Sequence, residues 1–390
     1  MAKSIFSLKA SLIALVALGL ASCSAVYDNR DNCVNGIQLR FVYDYHMEPG
    51  ANAFAANVDC IVVYVFDNEG NYLRQFTETS EQLMEDHYRM VLPLEEGDYR
   101  LMVYGGLSCN NPTFEISKPW DDASRAAHHD DIIVSLPHTN GVSANKLHDI
   151  ETRQGGLFYG FQYRRSGEKA WINSSLNESH LMEVSVTSDD FGSTFTEYDV
   201  NLMKDTNNIV VILQELSGPF TVDYRDYDFT ITDDNFRLDA QNLPNDWEDQ
   251  NNIPVYKPHT MENRIMGYAD NDRRDGSLLE HDDSTPVQVG LVEFSTSRLH
   301  IKNFEKAQLV VKSTKESASE DGREIIRVPL INYLAATRGF GSGWIKSDQE
   351  YLDRQSNWSL YFFLQEGRWV QATVAVNDWI VRIDNIELGM

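Results

Sequence analysis

The chain has 390 residues, with 59 acidic side chains against 33 basic ones and a formal charge of −26 at pH 7. That balance repels nucleic acid and gives no pull toward an anionic lipid face, so neither is expected as a charge-held partner. The length suits two domains rather than one, and 11% aromatic residues supply bulk for packed interiors.

Lys3 and Lys9 precede the apolar run Leu12-Ile13-Ala14-Leu15-Val16-Ala17-Leu18, and no acid occurs before Asp28. A charged start, a short apolar centre and small residues at its end are the parts of a secretory signal. The run is too short to span a bilayer, which takes about 20 apolar residues. Leu20-Ala21-Ser22-Cys23 resembles the bacterial lipobox, where the thiol takes a diacylglycerol and becomes the new N-terminus. Residues 1–22 are therefore expected to be a lipoprotein signal peptide, Cys23 the lipidation site, and residues 23–34 a lipidated linker. Ser24 rather than Asp follows the cysteine, so the expected address is the outer membrane of a Gram-negative bacterium. Stable anchoring takes more than one acyl chain, and a triacylated cysteine meets that condition.

Cys33, Cys60 and Cys109 remain, an odd number whose spacing fits no metal template. One disulfide among them is open in an oxidising compartment, without a readable pairing. Cys60 stands before an apolar strand, where a buried free thiol is the expected state.

Beyond the linker the pattern is β. Ile37, Leu39, Phe41, Tyr43 and Tyr45 alternate with Gln38, Arg40 and Asp44, the period of a half-buried strand. Ile61–Phe66 is apolar on both faces, as for a central strand, and turns at Asp67-Asn68-Glu69-Gly70 into Tyr72–Phe76. Tyr88–Leu92 and Tyr99–Tyr104, separated by Glu95-Glu96-Gly97-Asp98, predict a second hairpin. From Asn110 to about Gly156 prolines and a His/Asp cluster break the pattern into a long excursion. Tyr198–Leu202 and Ile209–Leu213 follow as a strong pair, with Lys204-Asp205-Thr206-Asn207-Asn208 between them at a turn. Leu216-Ser217-Gly218-Pro219 marks a domain boundary, which divides the chain into an N-terminal sandwich of residues 35–216 and a C-terminal sandwich of residues 217–390. In the second, strands are expected at Phe220–Tyr224, Tyr227–Ile231, Val287–Phe294, Arg298–Ile301, Leu309–Lys312, Trp358–Leu364, Trp369–Val376 and Trp379–Leu388. Leu330–Thr337, lying after Pro329 and before Gly339, reads as a short helix. The fold class is all-β, with antiparallel β-sandwiches.

The order of these segments matters more than any one of them. A lipobox is followed by Cys33, Phe41-Val42-Tyr43-Asp44-Tyr45, Val63-Tyr64-Val65-Phe66-Asp67-Asn68-Glu69-Gly70, and Leu94-Glu95-Glu96-Gly97-Asp98-Tyr99 running into Tyr104-Gly105-Gly106. Later come Leu157-Phe158-Tyr159-Gly160, Val255-Tyr256-Lys257-Pro258, Arg298-Leu299 and Ala375-Val376-Asn377-Asp378-Trp379. This succession resembles the FimB-type fimbrial anchor lipoproteins (minor fimbrial subunits) of Bacteroides-like bacteria. The resemblance implies two tandem transthyretin-like sandwiches, fimbrial stalk pilins as partners, and a role in anchoring a fimbrium and ending its growth by β-strand complementation. In that scheme a missing strand leaves unpaired backbone and an apolar groove, which a neighbour's strand fills. Arg30 and Arg40 are both open to an arginine-specific protease, so anchor and stalk or tip roles stay open. A surface lipoprotein that binds glycan or host protein without polymerising is the alternative.

Enzyme-like groupings are weak. His128-His129-Asp130-Asp131 is ligand-like, but neighbouring histidines diverge on a strand or helix, so a surface loop is expected and no metal. Asp233-Asp234-Asn235 lacks the spacing of a calcium loop. Asp223, Asp226 and Asp228 stand among aromatics without an assignable catalytic pair. Trp344, Trp358, Trp369 and Trp379 invite a sugar platform, yet three sit in strand-like surroundings where core packing is the default. No serine-hydrolase elbow, zincin helix or phosphate-binding loop is present, and neither enzyme activity nor a cofactor is expected.

Overall fold

The computed structural model describes residues 36–48, 50–85, 87–106, 113–117, 128–149, 151–152, 154–161, 181–189, 192–193, 195–269, 285–315, 323–339, 344–376 and 379–383. The longer strands are β1 (Gly36–Val42), β2 (Ile61–Asp67), β3 (Tyr72–Glu78), β4 (Met90–Pro93), β5 (Gly97–Gly105), β6 (Phe158–Phe161), β7 (Met182–Val186), β8 (Phe195–Lys204) and β9 (Thr206–Glu215). They continue as β10 (Tyr227–Thr232), β11 (Thr260–Ala269), β12 (Thr285–Ser297), β13 (Gln308–Ser313), β14 (Arg323–Pro329), β15 (Asn357–Gln365), β16 (Arg368–Val376) and β17 (Trp379–Ile383). Among the described residues helices are few and short: α1 (Phe54–Asn57), α2 (Leu330–Ala335) and α3 (Asp348–Arg354). The protein is all-β, with its sheets packed as sandwich-like domains.

Two compact units are distinguishable. Of the described residues, the smaller comprises 36–40, Arg89–Asp98 and those within Val184–Tyr198. In it, β1 pairs antiparallel with β4, from Gly36 opposite Pro93 to Leu39 opposite Met90. The larger unit holds the rest. Its first sheet runs β3-β2-β5-β6-β8, with β2 in an inner position as its two apolar faces require. The expected hairpin at Asp67–Gly70 forms: Asp67 accepts from the backbone of Glu69 and Asn71, and Gly70 has a positive φ of 92°. The hairpin expected at Glu95–Asp98 does not, because β4 pairs with β1 and β5 with β2 and β6.

A second sheet runs β11-β12-β9-β15-β16-β17, and a third has β14-β13-β10 at its core. Ile209, Val211, Leu213, Val292, Phe294, Trp358, Leu360 and Phe362 of the second meet Phe229, Ile231, Leu309, Val311, Ile326 and Val328 of the third in one buried cluster. The alternation of buried and half-exposed positions along β15 is what a one-faced strand shows. The same cluster takes in Val62, Tyr64 and Phe66 of β2 and Tyr104 of β5. The segment read as a loose excursion supplies Phe114, Ile132, Val134, Leu136 and Leu147 to it. Its polar composition hides this, because the apolar residues are single and widely spaced.

The strong pair before Leu216 is not a hairpin. β8 belongs to the first sheet and β9 to the second, where it lies between β12 (antiparallel) and β15 (parallel). The chain changes sheets between Lys204 and Thr206, ahead of the boundary placed at Leu216-Ser217-Gly218-Pro219. Residues 204–207 look like a solvent turn by composition but are buried, with Asp205 fully inaccessible. Internal partners make this possible. The Asp205 N–H donates to the Leu157 carbonyl, and Asn207 Nδ2 to that of Ser297. Phe220–Tyr224 and Arg298–Ile301 also depart from expectation. The first makes a single bridge before a 3₁₀ turn at Tyr224–Asp226, and the second leads into a 3₁₀ turn at Ile301–Asn303.

Candidate functional site

In the strand-complementation scheme that the resemblance implies, the presence or loss of the first strand would separate an end subunit from a link in a filament. Ile37, Leu39, Phe41, Tyr43 and Tyr45 are all buried, at 5% exposure or less, as their alternation predicts. β1 lies between β4 and β8, so both of its edges are occupied. Beyond β1 the same face continues as an aromatic series. Phe41 stacks on Phe54 of α1 at 5.3 Å, Tyr43 meets Phe158 edge-on at 5.4 Å, and Tyr45 meets Phe161 at 5.7 Å. The Arg354 guanidinium covers the Tyr45 ring at 4.0 Å, and Arg354 Nη1 donates to the His46 carbonyl. Burial raises the Tyr43 hydroxyl far above its ordinary pKa, so it stays neutral. Each large apolar side chain contributes roughly 1.5–3 kcal/mol when buried. Five of them approach roughly 10 kcal/mol, within the about 5–15 kcal/mol by which whole domains are stable. Arg40 is partly exposed and lies 3.9 Å from Glu197. Arg30 lies outside the described residues.

Arg354 comes from α3, a helix that periodicity does not reveal. The available signal was Ser347-x-x-Glu350, a capping box. Ser347 Oγ accepts from the Glu350 N–H at 3.0 Å, and Glu350 turns back to the Lys346 N–H. The helix also carries Asp353, which binds Arg298 in two places, at 2.8 and 2.9 Å. Arg298 is 2% exposed, donates to the Asn242 carbonyl and lies 4.0 Å from Asp205. Burial pushes Asp205 up to about 7, even though Arg298 and the Asn242 amide favour its charged form. This buried ionic knot occupies the place where the chain changes sheets.

Asp233-Asp234-Asn235 forms a second knot rather than a calcium loop. Asp233 accepts from Asn303 at 2.7 Å and is pushed by burial to about 7. Asp234 accepts from Lys306 at 2.7 Å and from the Trp247 N–H, while Asn235 accepts from the Tyr256 hydroxyl at 2.6 Å. Every side chain faces a protein partner, so the trio ties strands together. Asp223, Asp226 and Asp228 are kept apart by separate engagements: with the Arg225 N–H, with Lys315 at 2.5 Å and with Lys257 at 2.7 Å.

The histidine pair departs from its expected divergence. His128 and His129 rings lie 4.2 Å apart, and the Asp130 carboxylate reaches the His129 Nδ1 at 2.9 Å. Ligand atoms of the three converge within 4.8 Å. Their hydrogen bonds describe a clasp, however. His128 Nε2 donates to the Glu69 carbonyl, and the His129 N–H to that of Gly70. Arg100 has only donors, so its contact with His129 Nε2 at 3.2 Å places the neutral ring's proton on Nδ1, facing Asp130. A Cβ at residue 70 would lie 2.2 Å from His128 Nε2, so the glycine serves both the turn and the clasp.

Of the four tryptophans, Trp358 is buried and points Nε1 at Asn207, and Trp369 packs on Phe362. Trp344 is exposed, with Arg354 over its ring at 5.0 Å, and the Trp379 side chain lies outside the description. Cys60 is disulfide-bonded, which overturns the expected free thiol. Its partner lies outside the described residues, as do Cys23, Cys33 and Cys109. Among the described residues no helix is long and apolar enough to cross a membrane.

The acids and histidines singled out in the sequence thus serve as internal fastenings in an all-β chain whose first strand is a sheet member. The family model of the fimbrillin-A associated anchor proteins Mfa1 and Mfa2 matches residues 30–152 and 172–385, and the chain belongs to that family. A candidate adhesin of known structure from Bacteroides thetaiotaomicron is 31% identical, with 90% of this chain and 99% of that one covered and a TM-score of 0.68. A candidate polysaccharide-binding protein from the same organism is 26% identical over 90% and 98% of the two chains, with a TM-score of 0.64. The fimbrial anchor protein Mfa2 of Porphyromonas gingivalis shares the fold at 14% identity, 90% and 99% coverage and a TM-score of 0.57. No curated protein matches the chain. Family membership implies a cell-surface location and association with fimbrial subunits.

Proposed function

We propose that the chain is a lipid-anchored outer-membrane subunit that holds the base of a fimbrium and ends its growth. In this reading Cys23 carries the acyl chains, β1 stays in place, and stalk pilins join by β-strand complementation. The observation that carries it is the seating of β1 between β4 and β8 with Ile37, Leu39 and Phe41 buried. A subunit that keeps its own strand offers no vacancy there for a further donor. The role is structural, not catalytic.

Deletion of the protein, followed by electron microscopy of cells and medium, is the test. Long fimbriae shed into the medium are expected, and fimbriae of normal length still attached to cells would overturn the reading. Cys23→Ala is expected to release the protein from the membrane and abolish fatty-acid labelling; undiminished labelling would remove the lipid anchor. Deletion cells with normal fimbriae and lost glycan binding would favour the non-polymerising reading, which the polysaccharide-binding relative keeps in view.

A further inference from the structure

Three exposed large apolar side chains sit on one strand: Met261, Ile265 and Met266 of β11 are 48%, 56% and 50% exposed. β11 ends the second sheet, and among the described residues no strand pairs with its outer edge. Open edges are usually blunted by charge or proline. β14, which ends the third sheet, carries exposed Arg323, Glu324 and Arg327 and finishes at Pro329. β11 has only two charged side chains, Glu262 and Arg264, at least two-fifths exposed and paired with each other.

Those two charges make the edge complementary to itself. In an antiparallel pair of identical strands related by a two-fold axis at Asn263, Glu262 of each copy lies opposite Arg264 of the other. Met261 then faces Ile265, and Thr260 faces Met266. Opposed residues in an antiparallel pair share a hydrogen-bonding type, so the neighbouring two-fold registers centre on Glu262 or Arg264. Each would set a charge against its own copy, which is destabilising. We propose that β11 pairs with β11 of a second copy of this chain, antiparallel about Asn263, joining the two second sheets into one. The shift in β11 pairing between Ile265 and Gly267 limits the regular stretch to its first half. So short a contact is weak in dilute solution and gains from confinement of both copies to one surface. The inference does not depend on the fimbrial role.

Single charge reversals decide it, measured by sedimentation of the full-length protein in detergent over a concentration series. Wild type is expected to show a monomer–dimer equilibrium. Glu262→Arg and Arg264→Glu should each weaken it at least tenfold, because like charges then face each other. An equimolar mixture of the two variants should dimerise again, since each supplies the charge the other lacks. Met261→Cys and Ile265→Cys proteins, which keep both native charges, should cross-link on oxidation when mixed and far less when separate. A wild type that stays monomeric at every concentration, a dimer indifferent to both reversals, or cysteine variants that cross-link equally well unmixed would overturn the proposal. If a reversal fails to fold, the cysteine pair alone separates these outcomes.

Discussion

The first strand and the ionic knot are buried to the same depth by opposite means. Leu39 and Asp205 are both fully inaccessible, yet one is an apolar strand residue opposite Met90 and the other stands beside Arg298, Asp353 and Asn242. An apolar contact weakens by degrees when trimmed. A buried ion pair behaves differently, because removal of one partner strands the other charge in a medium that solvates it poorly.

Arg298→Met tests the steeper half of that contrast. It is expected to cost about 4 kcal/mol, the range for breaking one side of a buried pair, read from urea unfolding. Adding Asp353→Leu should recover much of the loss, since the carboxylate bound twice by Arg298 is then gone, and Asp205, 4.0 Å from the vacated site and raised by burial, takes up a proton. A single variant within about 1 kcal/mol of wild type would mean that the knot relaxes on losing its cation.

Leu39→Ala comes next, at about 3 kcal/mol for a large-to-small change in a packed interior. Ile37→Val should cost only about 1 kcal/mol, so the pair should fall in proportion to the volume removed. If both changes are nearly neutral, β1 is not seated in solution and the end-subunit reading loses its support.

The pH dependence separates the two regions further. Burial raises Asp205 and Asp233 from 3.8 to about 7, so the folded chain holds these protons more tightly than the unfolded one. Their contribution is full below pH 3.8 and is lost as the pH rises through 7. His148 is lowered from 6.5 to about 4 and His300 to about 3, chiefly by burial. Theirs is full above pH 6.5 and is lost as the pH falls through 4 and 3. Asp205→Asn should therefore gain on wild type between pH 4 and 7, and His148→Gln should gain as the pH falls from 6.5 to 4. Each gain is about 1–3 kcal/mol, followed as the urea midpoint against pH. Constant offsets across the range would refute both assignments. The smallest effect is expected at the exposed Asp228–Lys257 pair, where Asp228→Asn should shift stability by less than about 1 kcal/mol.

The same contrast explains what could be read from sequence. Ile37 to Tyr45 declares its buried face through period two, and Ile61–Phe66 its central place through apolarity on both faces. Asp67–Gly70 and the helix after Pro329 are written in local turn and cap chemistry. The knots are not, because Lys204–Asn207 and Asp233–Asn235 have the composition of solvent turns. Only partners far along the chain, such as Ser297 for Asn207 and Asn303 for Asp233, make them interior. The histidine clasp was hidden for a related reason: its rings converge because Glu69, Gly70 and Arg100 hold them. Of the site, the strand was legible and its fastening by Arg354 was not, although Ser347-x-x-Glu350 marked the helix that bears it.

The parallel pairing of β9 with β15 sets a timetable. Asn208 lies beside Asn357, 149 residues later, whereas most neighbouring strands in these sheets meet as antiparallel partners. At typical synthesis rates that separation is roughly ten seconds. Until residue 357 has emerged, β9 has one flank open and Val211 and Leu213 lack the cover of Trp358, Leu360 and Phe362. Closure of so long a loop is slow, because its entropy must be lost before the contacts form. The middle of the second sheet is thus completed only once β15 has been made, and a chain interrupted before that point leaves β9 without its parallel neighbour.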